Sequence, residues 1–144
     1  MKTYTKRIGI ETSDFQDIIN INGYVKQAVS ESQVNNGMVY VITMHTTTGI
    51  TVNEDAECIR RDILNLLKNL VPDEGTYRHA RYLDFDGRLG VNAPSHLRSV
   101  VVGNHTVIPL QDEKLVLGQR QSIFFLEFDG PQYREFTVTV VGDA

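Results

Sequence analysis

The segment Met38-Val39-Tyr40-Val41-Ile42-Thr43-Met44 constrains the fold more than any other stretch of the chain. It is almost entirely apolar and rich in β-branched and aromatic side chains, so it reads as a central strand buried on both faces. Such a strand needs partners, and the final third supplies them. Residues 106–110 and 115–117 flank the polar Gln111-Asp112-Glu113-Lys114, which is a hairpin signature. Residues 122–128 form a further apolar strand. Asp129-Gly130-Pro131-Gln132 reads as a turn. Residues 133–141 close the chain as a strand with Phe136, Val138 and Val140 on one face, and residues 3–12 alternate in character as a strand should.

Two helices are expected against this sheet. Ser13-Asp14-Phe15-Gln16 has the capping-box pattern, and the apolar positions Phe15, Ile18, Ile19, Val25, Ala28 and Val29 follow it. A second helix spans residues 55–70, with Ile59, Ile63, Leu66, Leu67 and Leu70 on one face. Asn53 is its expected N-cap, and Val71-Pro72 ends it. A short helix begins near Ser95. Residues 75–95 carry Tyr77, His79, Tyr82, Asp84 and Asp86 without sustained periodicity, which marks a functional loop in a chain this size. The expected fold class is α+β, a largely antiparallel sheet packed with two main helices in one domain over residues 1–144.

Charge and composition narrow the function. The net charge is −4 and the arginines are dispersed, so a nucleic-acid partner is not expected. A small anion needs only a few local cations and stays open. The single cysteine, Cys58, excludes an intrachain disulfide and a cysteine-based zinc cage, and its place in a helix suggests a structural thiol. No stretch is long and apolar enough to span a bilayer and the first residues lack an apolar signal core, so a cytoplasmic protein without a membrane partner is expected.

Three of the four histidines occupy suggestive places: His45 after the most apolar strand, His79 in the aperiodic segment, and His96 at its end. Three imidazoles with an open position can hold a catalytic metal. Their spacing matches no local metal motif, and three unrelated histidines with ordinary hydrogen bonds form the competing reading. Glu54, Asp55, Glu127 and Asp129 are candidate fourth ligands or bases. Glu127 lies inside the apolar run Ile123-Phe124-Phe125-Leu126-Glu127-Phe128 and either has a partner there or alternates onto a solvated face. Thr46-Thr47-Thr48-Gly49 offers phosphate-binding hydroxyls or a plain strand end. Arg120 and Arg134 either clamp an anion or are ordinary surface arginines.

The motifs also carry a family likeness. His45-Thr46-Thr47-Thr48-Gly49-Ile50-Thr51-Val52-Asn53-Glu54 resembles the HTT-x-(A/G)-(I/L)-x-(I/V)-NE signature of the YjbQ-like family. Asp62, Tyr77-Arg78-His79, Asn92-Ala93-Pro94-Ser95-His96, Ile108-Pro109, Leu115-Val116-Leu117-Gly118, Gln121, and Glu127-Phe128-Asp129-Gly130-Pro131 with Arg134 follow in the family's order. The resemblance covers nearly the whole chain. It implies a compact α+β homotrimer with its site histidines near subunit boundaries. Carried over, His45, His79 and His96 would be metal ligands, with Glu54, Asn92 and Glu127 beside them. The implied cofactor is a divalent metal, zinc or magnesium. The implied activity, a side activity, joins a pyrimidine diphosphate to a thiazole phosphate, as in thiamine-phosphate synthesis. Three departures stand out: Gln119-Arg120-Gln121 replaces a common Thr-Trp-Gln, His105 replaces a small residue, and Pro94 replaces an acidic one.

The expected function is therefore a small-molecule enzyme. Its metal would polarise a phosphorylated metabolite, Arg120 or Arg134 would hold the phosphate, and Glu54 or Glu127 would move protons. The alternative is a non-catalytic homotrimer that binds a metal or a metabolite.

Overall fold

The fold was analysed in a computed structural model, which describes residues 1–80, 82–83, 88–89 and 92–144. Asp84 and Asp86 lie outside these residues. The strands are β1 (Lys2–Glu11), β2 (Asp17–Asn20), β3 (Asn36–Thr43), β4 (Thr48–Glu54), β5 (Tyr82–Leu83), β6 (Arg88–Leu89), β7 (His105–Gln111), β8 (Lys114–Leu115), β9 (Gln121–Glu127) and β10 (Tyr133–Asp143). The helices are α1 (Asn22–Ser32), α2 (Glu57–Leu70) and α3 (Ala93–Val102). A five-stranded sheet runs β1-β10-β3-β7-β8, a three-stranded sheet β2-β9-β4, and β5 pairs with β6. Every pairing is antiparallel, so the expected α+β class holds, and α3 is the short helix expected near Ser95.

The three-stranded sheet is the middle layer, which explains the apolar run in β9. Ile123 and Phe125 face a core shared with α1 and the five-stranded sheet, where Val25, Val39, Val41, Ile108, Phe136 and Val138 meet. Phe124, Leu126 and Phe128 face a second core with Ile18 and Leu67. Each face of β9 has apolar company, so alternation vanishes from its sequence.

Three sequence expectations change. The first helix starts at Asn22, because Ile18 and Ile19 are drawn into β2 by pairing with Leu126 and Phe125. The segment read as buried on both faces is buried on one. Val39, Val41 and Thr43 point inward, while Met38, Tyr40 and Ile42 are each more than a third exposed. The apolar stripe of α2 is only partly used. Leu67 is buried, but Leu66 and Leu70 are exposed, since the small sheet covers little more than Ile63, Leu64 and Leu67. This helix begins after Ala56 rather than Asn53, and Cys58 sits exposed in its first turn.

Candidate functional site

The chain leaves β3 at Thr43 and turns through His45 into β4. The turn is held from within, as the hydroxyls of Thr43 and Thr48 lie 2.7 Å apart and Thr48 Oγ1 donates to the His45 carbonyl at 3.3 Å. It is also held from outside. The Phe128 N–H donates to the Thr47 carbonyl at 3.1 Å, and Arg134 Nη2 donates to Thr47 Oγ1 at 2.8 Å. The imidazole of His45 accepts the Glu135 backbone N–H at Nε2, 2.8 Å away. An Nε2 that accepts a hydrogen bond leaves the proton of a neutral ring on Nδ1.

Behind this turn lies a buried ion pair. Glu127 is fully buried and Arg134 is 3 % exposed. Arg134 Nε donates to Glu127 Oε1 at 2.8 Å and Nη2 donates to Oε2 at 2.6 Å, a two-pronged geometry only arginine provides. Thr12 Oγ1 donates to Oε1 at 2.6 Å and the Asp129 N–H to Oε2 at 3.1 Å. Burial pushes the Glu127 carboxyl up, but the bonds from Arg134, Thr12 and Asp129 outweigh it and hold it below the usual range. Glu127 is thus an ionised carboxylate with both oxygens occupied. Its charge anchors Arg134, which in turn anchors Thr47.

His96 comes from α3. Ser95 Oγ donates to the Phe128 carbonyl at 2.6 Å, and Asn92 Nδ2 donates to Asp129 Oδ2 at 2.9 Å, so the start of the helix is tied to the end of β9. The end of α3 is tied to β4, where the Ile50 N–H donates to the Gly103 carbonyl at 3.1 Å. Gly49 permits this approach, because a Cβ there would lie 2.7 Å from Val102 Cγ1. His45, Thr46, His96, Ser99, Val100, Gly103 and Asn104 line a cleft of about 410 Å³. On the other side of His96 a smaller cavity of about 170 Å³ includes Tyr77, Arg78 and His79. The His79 and His96 rings meet edge to face, with centroids 4.9 Å apart. The segment leading to His79 is pinned to α3 by the buried Arg98, whose Nη2 donates to the Val71 carbonyl at 2.7 Å and to Asp73 at 2.8 Å.

Both cleft imidazoles are held below their ordinary value of 6.5. For His45 burial is the largest cause and the Arg134 charge adds to it, against Glu127 and Glu135. For His96 burial again leads and His79 adds to it, against the Thr46 backbone and Asp129. Near neutral pH both rings are uncharged.

The other candidates lie elsewhere. Glu54 sits at the far end of β4, six residues from Thr48 and hence about 20 Å away along the strand. Arg120 lies with it, 3.7 Å from its carboxylate. Asp55 pairs with Arg60 and Asn20. Two contributors escaped the sequence reading. Thr12, at the end of β1, gave no signal beyond its alternation, and Glu135 acts through its backbone, which no side-chain pattern reports.

Comparison with known proteins places this arrangement. The model of the family described as UPF0047 protein YjbQ-like matches residues 6–143. The chain belongs to the YjbQ-like family. A relative, UPF0047 protein MJ1081 of Methanocaldococcus jannaschii, is 38 % identical over 135 residues, covering 93 % of this chain and 91 % of that protein. A crystal structure of a YjbQ-like protein of unknown function from Sulfolobus solfataricus superimposes with a TM-score of 0.90 at 31 % identity, over 99 % of both chains. An uncharacterised YjbQ/UPF0047 protein from Clostridium acetobutylicum gives 0.84 at 36 % identity, over 94 % of this chain and 99 % of that one.

These findings correct the expected function. The relatives of this YjbQ-like chain are proteins of unknown function, so membership brings neither an enzymatic activity nor a link to thiamine phosphate. The expected metal centre is corrected as well. Among the described residues no group of three His, Cys, Asp or Glu side chains is placed to hold a metal ion. The physical reason is visible at His45, whose Nε2 lone pair is spent on the Glu135 N–H. As placed, His45 has no lone pair left for a metal ion.

Proposed function

We propose that the cleft between His45 and His96 binds a small phosphorylated metabolite, gripping its oxygens with the Nδ1–H of neutral His45 and the hydroxyl and amide groups around it. The observation that carries this reading is that two desolvated, uncharged imidazoles line one cleft of about 410 Å³, a volume in the range of small-ligand sites. Glu135 fixes the His45 tautomer, so its Nδ1–H is a standing donor. Thr46, Ser99 and Asn104 add hydroxyl and amide groups, and Arg78 beside His79 supplies positive charge at the far side of His96. Titration calorimetry with inorganic phosphate and a panel of sugar and nucleoside monophosphates tests it. At least one compound is expected to bind with Kd below about 1 mM, and His96→Ala to weaken it about tenfold. Equal binding by wild type, His45→Ala and His96→Ala would sink the reading.

A homotrimer is part of the same proposal. On the outer face of the five-stranded sheet Met38 pairs with Pro109 and Tyr40 with Val107, and Ile42 extends the row, so an apolar strip faces outward. Strips of this kind support self-association. Light scattering should give three times the chain mass, falling on Tyr40→Lys. The setting we infer is cytoplasmic; the lone, exposed Cys58 suits a reducing compartment, and no helix among the described residues is long and apolar enough to cross a membrane.

A further inference from the structure

At the other end of the molecule lies a larger cavity, about 620 Å³, which the histidine cleft does not involve. Its wall is α1, contributing Asn22, Lys26 and Val29, and its opposite side is the chain from Glu113 to Ser122. Its apolar part is the buried Val29 with the half-buried Leu115 and Leu117. Its frame is rigid. Asn22 Oδ1 accepts the Ile123 N–H at 2.8 Å while Nδ2 donates to Ser122 at 3.3 Å, and Gln121 Oε1 accepts the Gly118 N–H at 2.8 Å. These bonds join α1 to β9 and shape the bend before it. Gln119 and Gln121 form part of this wall.

The charge at the rim decides the ligand class. Lys26 and Lys114 contribute two positive charges and Glu113 one negative, a local balance of +1 in a chain of net charge −4. Asp112 and Glu113 both adopt left-handed backbone (φ 49° and 64°), forming the tight turn that carries Lys114 to the rim. An ammonium is a point charge without the fork that favours phosphate, and a balance of +1 matches a singly charged group. We propose that this cavity binds a small organic acid, a monocarboxylate whose apolar body packs on Val29, Leu115 and Leu117 while Lys26 and Lys114 hold its carboxylate.

The test uses indole-3-acetate and its uncharged counterpart indole-3-acetamide as probes of the intact protein, followed by amide chemical-shift mapping. Indole-3-acetate should move the resonances of Lys26, Leu115 and Gln121 and bind at least about fivefold more tightly than the amide, the scale of one or two surface ion pairs. The double variant Lys26→Gln/Lys114→Gln, confined to exposed side chains, should lose that preference. His96→Ala should keep it, which separates this site from the phosphate cleft. The inference is overturned if the shifts fall only around His45 and His96, if acid and amide bind alike, or if the double variant behaves as wild type.

Discussion

The two sides of the His45–Thr48 turn spend their polar groups in opposite ways. On the inner side Glu127 and Arg134 are buried, and the carboxylate meets the guanidinium, a hydroxyl and a backbone N–H. On the outer side His45 and His96 line open space, and His45 keeps its Nδ1–H after Nε2 has accepted the Glu135 N–H. Buried charge must be paired or it destabilises the fold, so the inner side is an anchor. Donors left facing a cleft suit a ligand, and the proposed binding rests on this outer side. The same turn serves both, because Thr47 binds Arg134 while His45 binds the next residue's N–H.

Breaking the inner side should be the costliest change. Arg134→Met leaves Glu127 buried and uncompensated, and should destabilise by about 3–5 kcal/mol in denaturant melts. A loss under about 1 kcal/mol would show that Glu127 finds water or another partner, and the anchor would have to be sought elsewhere. Gly49→Ala drives a methyl into Val102 and should cost about 1–3 kcal/mol. It should also weaken phosphate binding, since α3 carries His96; unchanged binding would uncouple the helix position from the cleft. Thr12→Val removes one donor to Glu127 and should cost about 1–2 kcal/mol by the same melts, with the cleft unaffected.

The sheet and helices were legible because their signals are local. The alternation of β1 and β10, the hairpin around Asp112–Glu113 and the amphipathic α2 all report neighbours a few residues away. Ile18 and Ile19 misled because a helical spacing and a short strand both accommodate two adjacent isoleucines, and only the distant β9 decides between them. The same limit applies to the site. The motif order drew attention to His45, His79 and His96, but sequence could not show that Glu54 lies at the wrong end of β4 or that a backbone N–H occupies His45 Nε2. The first depends on strand direction and the second on register, and neither is written in side-chain type.

The smallest expected effect separates the two sides of the turn by pH. Both histidines take up a proton less readily in the folded chain than at their ordinary value of 6.5. Below that value the unfolded chain binds more protons, so their contribution is complete above about pH 6.5 and fades as pH falls through the depressed folded values. Glu127 is also depressed, from an ordinary 4.5, so its contribution is complete above about pH 4.5 and is lost further down. Denaturant midpoints measured from about pH 8 to pH 3 should therefore decline in two stages, the first shallow because both rings are partly solvated. In His45→Gln/His96→Gln the first stage should flatten while the acid stage persists. A wild-type midpoint that stays level between about pH 6.5 and pH 5 would mean the imidazoles are as hydrated as free histidine. The cleft would then have lost the desolvated donors that distinguish it from the anchor behind it.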